Sequence, residues 1–229
     1  MIMKLNKKFI FFSAIAVAVA LTGIGIKAIP SFSASKPYCI ILDAGHGAPD
    51  GGAVGAGGTE EKDINLQIVL KLQEILESRG VSVILTRQDD NSICDKNATT
   101  IHEMKVSDMH NRLNIINNSN ADLFLSIHMN AFSDAKSNGL HVFYSRNHPE
   151  GEELAALIQD GIGKITGAKT HAVKTASQSL YLMKNPKPLS VLIECGFISN
   201  PDEEKKLTDD VYQSKIAFAI ANSVISYIK

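Results

Sequence analysis

The stretch that decides the fold is Tyr38-Cys39-Ile40-Ile41-Leu42-Asp43-Ala44-Gly45-His46-Gly47. Four apolar residues, Cys39 to Leu42, read as a buried strand that ends at Asp43, where a glycine-rich loop takes over through Gly58. Ile64, Ile68, Val69, Leu72, Ile75 and Leu76 then recur at the spacing of one helix face, and Gly80 suits the stop that follows. Val81 to Leu85 is a second strand. A strand, a loop, a helix and a strand in this order are the unit of a layered α/β domain.

The pattern continues outward from that unit. Residues 88–105 are polar and irregular and read as a surface insertion. A helix is expected over Asp108 to Asn118, a third strand over Leu123 to Ile127 ending at His128, and a fourth over Leu140 to Tyr144. Glu152 to Ile165 reads as a helix, Leu180 to Met183 and Val191 to Ile193 as short strands, and Asp210 to Ile228 as a closing helix. The expected fold is a single three-layer α/β domain, a twisted and mostly parallel sheet of about six strands with helices on both faces.

With 229 residues, the chain has room for one catalytic domain and a short extra segment. The hydrophobic share of 45% and charged share of 21% exclude a disordered or fibrous chain, and a net charge of −1 argues against a nucleic-acid partner. Lys4, Lys7 and Lys8 precede an uncharged run from Phe9 to Ile26, closed by Lys27, which is the pattern of an export signal long enough to cross a bilayer. Residues 1–36 are therefore expected to be an N-terminal hydrophobic helix and linker, and residues 37–229 the catalytic domain. The positive-inside rule puts the lysines in the cytoplasm and the domain outside, held at the outer face of the membrane or released after cleavage near Ser31, Ser33 or Ser35. The balance favours an uncleaved anchor. Cys39, Cys94 and Cys195 are odd in number and are expected as free thiols.

His46 and His128 each follow an apolar strand, and ligand crevices of open α/β sheets lie at the carboxyl ends of strands. A hydrolytic zinc site commonly takes three protein ligands and a water, so two imidazoles leave one carboxylate to find. Glu60 and Glu61 open the first helix, where acids also serve the helix dipole with Thr59 as a cap. Glu194 ends the apolar run Val191-Leu192-Ile193, where a carboxylate must find a salt bridge, leave the core or act as a general base.

These blocks resemble the zinc-dependent N-acetylmuramoyl-L-alanine amidases. The resemblance runs through Asp43 to Gly47, Asp50 to Gly55, Glu61 to Leu66, Leu85 to Arg87, Ala121 to Ala131 and Leu192 to Asn200, in the family's order over roughly residues 38 to 229. It implies one zinc ion per chain held by His46, Glu61 and His128, with Glu194 as the catalytic carboxylate, and it selects Glu61 over Glu60. The implied reaction is hydrolysis of the amide between N-acetylmuramic acid and the L-alanine of the stem peptide in peptidoglycan. The short anchored form is most similar to the sporulation amidases that modify the spore cortex, which implies a role in cortex maturation and germination. Met129 stands where many relatives have Ala, and residues 88–105 match no family block.

Around the site, Arg87 and Asn130 are candidate substrate contacts, and Arg112 is expected to be structural. Asp43 is expected to orient a loop amide or His46, because ligating imidazoles usually donate their other N–H. His102, His110, His141, His148 and His171 are expected to be surface or structural residues. No wall-binding module is recognisable, which leaves room for an accessory or activating protein partner. Two rivals are a zinc peptidase trimming stem peptides, which lacks a His-Glu-x-x-His helix here, and a non-catalytic wall-binding scaffold, which would not require Glu194.

Overall fold

Strand β1 (Cys39–Ala44) lies one strand in from the edge of a six-stranded sheet, in the computed structural model that describes residues 37–229. The expected N-terminal hydrophobic helix falls within residues 1–36, outside the described residues. After β1 come α1 (Glu61–Glu77), β2 (Ser82–Leu85), α2 (Ile101–Asn118), β3 (Leu123–Asn130), β4 (His141–Tyr144), α3 (Gly151–Thr166) and β5 (Lys174–Thr175). A short 3₁₀ turn, Tyr181–Met183, leads to β6 (Leu189–Phe197), α4 (Pro201–Leu207) and α5 (Asp210–Tyr227). The strand order is β2-β1-β3-β6-β4-β5, parallel throughout except where β4 runs antiparallel to β6.

The two faces of the sheet are unequal. Ile40, Leu42, Leu125, Ile127, Val191 and Ile193 point to one side and pack on α1, α3 and α5 through residues such as Ile68, Ile158 and Ile220. The alternate residues Ile41, Phe124 and Leu192 point to the other side, where α2 and the 3₁₀ turn supply Ile116, Leu182 and Met183. That second, smaller core covers only part of its face. The uncovered part is where Asp43, Ser126, His128 and Glu194 project, since side chains alternate along a strand.

Three expectations are corrected. Helix α2 starts at Ile101, seven residues before Asp108, inside the stretch read as an irregular insertion. A capping box starts it: the Thr100 side chain accepts from the Glu103 backbone N–H and the Glu103 side chain accepts from Thr100 N–H. Its first turns are mostly exposed, so they carry no apolar stripe to read. Leu180 to Met183 is a 3₁₀ turn instead of a strand, with Leu182 and Met183 buried against the sheet. Thr59 does not cap α1, whose N-cap is Glu60 without a side-chain cap bond.

Candidate metal centre

The loop after β1 is shaped so that His46 meets the end of β3. His46 has a φ of 64°, the left-handed region that a non-glycine residue enters only under tertiary constraint. Two buried guanidinium groups supply the constraint. Arg87 Nε donates to Ala44 O and its Nη2 to Gly45 O and Lys62 O, while Arg112 donates to Ala44 O and His46 O. Gly45 then lets the His128 ring lie directly against the backbone, where a Cβ would stand 2.2 Å from His128 Cε1.

Glu61, the first residue of α1, lies between the two imidazoles. Its Oε2 is 3.3 Å from His46 Nε2 and its Oε1 is 3.0 Å from His128 Nδ1. The three donor atoms lie within 4.8 Å of one another. Backbone N–H groups of Ala53 and Met129, and the Asn65 side-chain amide, donate to the same carboxylate and fix its plane. Glu60 turns away to Lys62, at 3.0 Å.

Two nitrogens and one carboxylate oxygen converging on one point, with His46 and Glu61 each oriented by further groups, form a donor set that suits zinc. The group behind His46 is Asp50, whose Oδ2 is 3.0 Å from His46 Nδ1, leaving Nε2 to face the centre. The charges agree with a cation's place. Burial alone would lower the His46 pKa, yet hydrogen bonds to Asp50 and Glu61 carry it up to about 9. His128 is raised likewise against its burial by Glu61, and Glu61 is held far below the ordinary carboxylate range by the two imidazoles. A carboxylate that holds protons on two imidazoles can instead hold a metal ion.

Glu194 lies beside this set on β6, in register with His128 on β3. Its Oε2 is buried and has no hydrogen-bond partner. Burial pushes its pKa up to about 7, with Glu61 adding to the rise and His128 opposing it. It also lines a cavity of about 270 Å³ that opens between the sheet, α2 and the 3₁₀ turn, with Met104, Met109, Leu180, Tyr181, Met183 and Leu192 on its walls.

The outer candidates are placed differently. Asp43 does not touch His46; it is buried and accepts from Arg112, Thr86 and Ser126. Burial would raise its pKa, but the Arg112 guanidinium holds it down to about 2. Asp43 therefore locks Arg112, which locks the His46 loop, and the orienting role falls to Asp50. Arg87 is 3% exposed with its donors spent on backbone carbonyls, which removes it from the substrate contacts and makes it a loop brace like Arg112. Asn130 does not line the cavity; its amide lies 3.4 Å from His141 Nδ1. His141 and His171 pair with ring centroids 4.0 Å apart, a contact no spacing signalled. The three cysteines are free.

The sequence pattern of N-acetylmuramoyl-L-alanine amidases matches residues 40–226. The chain is 37% identical over 188 residues to the germination-specific N-acetylmuramoyl-L-alanine amidase of Bacillus subtilis, covering 82% of this chain and 78% of that protein. It is similar in structure to the CwlD amidase of Clostridioides difficile, solved in complex with the GerS lipoprotein, with a TM-score of 0.80 and 45% identity over 83% of this chain and 98% of that one. The catalytic domain of CwlV, an amidase from Bacillus (Paenibacillus) polymyxa var. colistinus, is similar with a TM-score of 0.71 and 30% identity over 83% of this chain and 98% of that one.

Proposed function

The chain belongs to the N-acetylmuramoyl-L-alanine amidase family, and from that premise we propose that it is a zinc-dependent hydrolase acting on peptidoglycan of the spore cortex during maturation for germination. The observation that carries the zinc reading is the convergence of His46, Glu61 and His128 beside an unpartnered, buried carboxylate oxygen of Glu194.

Bound there, zinc supplies Lewis acidity, bringing the pKa of a water to about 7 and polarising an amide carbonyl. Glu194 does the proton work. A carboxylate with a pKa near neutrality can take a proton from the attacking water and return it to the leaving nitrogen. Water's oxygen joins the lactyl carbonyl of muramic acid, the carbon–nitrogen bond breaks, and the L-alanine amine leaves with the proton that Glu194 held. Asp50 keeps His46 Nε2 turned inward, and the Asp43–Arg112 pair holds the loop that carries it.

Cortex and germination enter through the germination-specific relative, and an accessory partner through the relative solved with a lipoprotein. Export, with residues 1–36 as membrane anchor, follows from the lysine-flanked apolar run. A cytosol-active reporter fused after Lys229 should be silent; a signal there rejects that orientation.

The reaction is tested by mass spectrometry of peptidoglycan digested with the purified protein, with and without zinc. Free L-alanine amino termini on intact stem peptides are expected, whereas shortened stems would indicate a peptidase and no product at all a scaffold. Glu194→Gln should keep zinc and lose roughly a hundred- to ten-thousand-fold in turnover. His128→Ala should lose zinc and turnover together, and full zinc stoichiometry in that variant refutes its ligand role.

A further inference from the structure

The cavity beside Glu194 has apolar walls and few charges with hydrogen bonds to spare. Arg112 is 1% exposed, and its guanidinium is committed to Asp43, Asp108, Ala44 O and His46 O. His46 and His128 face Glu61. Among the described residues lining the cavity, that leaves Lys105, on the second turn of α2, with its ammonium 2.8 Å from Asp50 Oδ1 and its side chain 49% exposed. An ammonium has three donors, and Asp50 takes one.

Resting on the amidase reading, we propose that Lys105 selects the peptide half of the substrate by pairing with a free carboxylate on the residue that follows the alanine. The glycan half brings no such charge, because the carboxyl of muramic acid is itself the acyl group of the scissile amide. The peptide half carries carboxylates. Lys105 stands two hydrogen bonds and one imidazole ring from His46 Nε2, through Asp50. One or two extended residues, at roughly 3.5 Å each, plus a side chain can span that reach. The apolar walls at Met104 and Met109, on the same helix, take the uncharged part of the chain beside the ion pair. Asp50 holds the ammonium at the mouth before substrate arrives, so the cation is placed in advance.

The test compares two muramoyl-peptide substrates that differ only in having that second-residue carboxylate free or amidated, turned over by the full-length zinc-loaded protein. The wild type is expected to prefer the free carboxylate by about five- to tenfold in kcat/KM, expressed in KM. Lys105→Met should lose that preference by losing only on the free-carboxylate substrate, and Lys105→Arg should keep it. Equal losses on both substrates would mean that Lys105 acts only through Asp50 and His46, and a preference surviving in Lys105→Met would assign it elsewhere; either overturns the proposal. Wild-type protein that hydrolyses both substrates equally overturns it too while leaving the amidase reading intact, and hydrolysis of neither strikes the amidase reading itself.

Discussion

At position 45 a single methyl group would stand 2.2 Å from the Cε1 atom of His128, closer than any real contact allows. Gly45→Ala must therefore push the ring away from Glu61, and the expected result is a protein that folds but binds zinc roughly ten- to a hundredfold more weakly. Circular dichroism and a competition titration with a chromophoric chelator separate the two effects, and unchanged zinc affinity would show that the close packing is dispensable. Glu194 makes a second prediction. Its folded pKa of about 7 lies above the ordinary 4.5, so the folded metal-free protein binds the extra proton. Stability from this group is thus fully present below about pH 4.5 and falls as pH rises towards 7 and beyond, by at most about 3 kcal/mol. Chelator-treated Glu194→Gln should match wild type near pH 4.5 and melt higher at pH 8.5, and a difference that ignores pH rejects the buried-carboxylate account. His46, His128, Glu194 and the Glu60–Glu61 pair were legible as candidates because they follow apolar strands or open a helix, and only the family resemblance selected Glu61 and made Glu194 the catalytic carboxylate. Asp50 and Lys105 were not, since a loop aspartate and an exposed helical lysine look like any solvated charges until tertiary structure brings them to His46.

Element α2 shows where periodicity stops informing. Its second half carries Met109, Leu113 and Ile116 towards the sheet, and the sequence marks it as a helix. The first half faces solvent and the cavity, so nothing in its hydrophobic pattern announces it, and only the Thr100–Glu103 box fixes its start. That box should be worth about 1 kcal/mol, the usual loss when a capping hydroxyl is removed. Thr100→Ala is expected to lower the urea midpoint accordingly while leaving zinc stoichiometry unchanged, and a loss of zinc would mean that the start of α2 is coupled to the metal centre. The mistaken strand at Leu180 to Met183 has a similar origin. Leu182 and Met183 are buried, but they are buried from a 3₁₀ turn that pairs with no strand, and a four-residue apolar run cannot distinguish the two. The parallel core strands, apolar on both faces, left no such ambiguity.

Across the whole domain, the three donors come from widely separated stretches: His46 from the loop after β1, Glu61 from the start of α1, and His128 from near the end of β3. An unfolded chain holds no such cluster, so a zinc ion held by these donors would bind the folded state alone and stabilise it by mass action. At a free concentration a thousandfold above its dissociation constant the gain is about 4 kcal/mol. For a domain of this size each kcal/mol moves the melting temperature by roughly 2–4 °C, so zinc should raise it by roughly 10 °C. The rise should grow with the logarithm of zinc concentration and disappear in His128→Ala. Glu194→Gln should retain it, because that carboxylate stands beside the donor set without completing it. Differential scanning calorimetry of wild type and both variants decides the matter. A zinc-dependent rise that survives in His128→Ala would place the ion elsewhere in the molecule, and one lost in Glu194→Gln would make Glu194 a ligand and leave the reaction without its base.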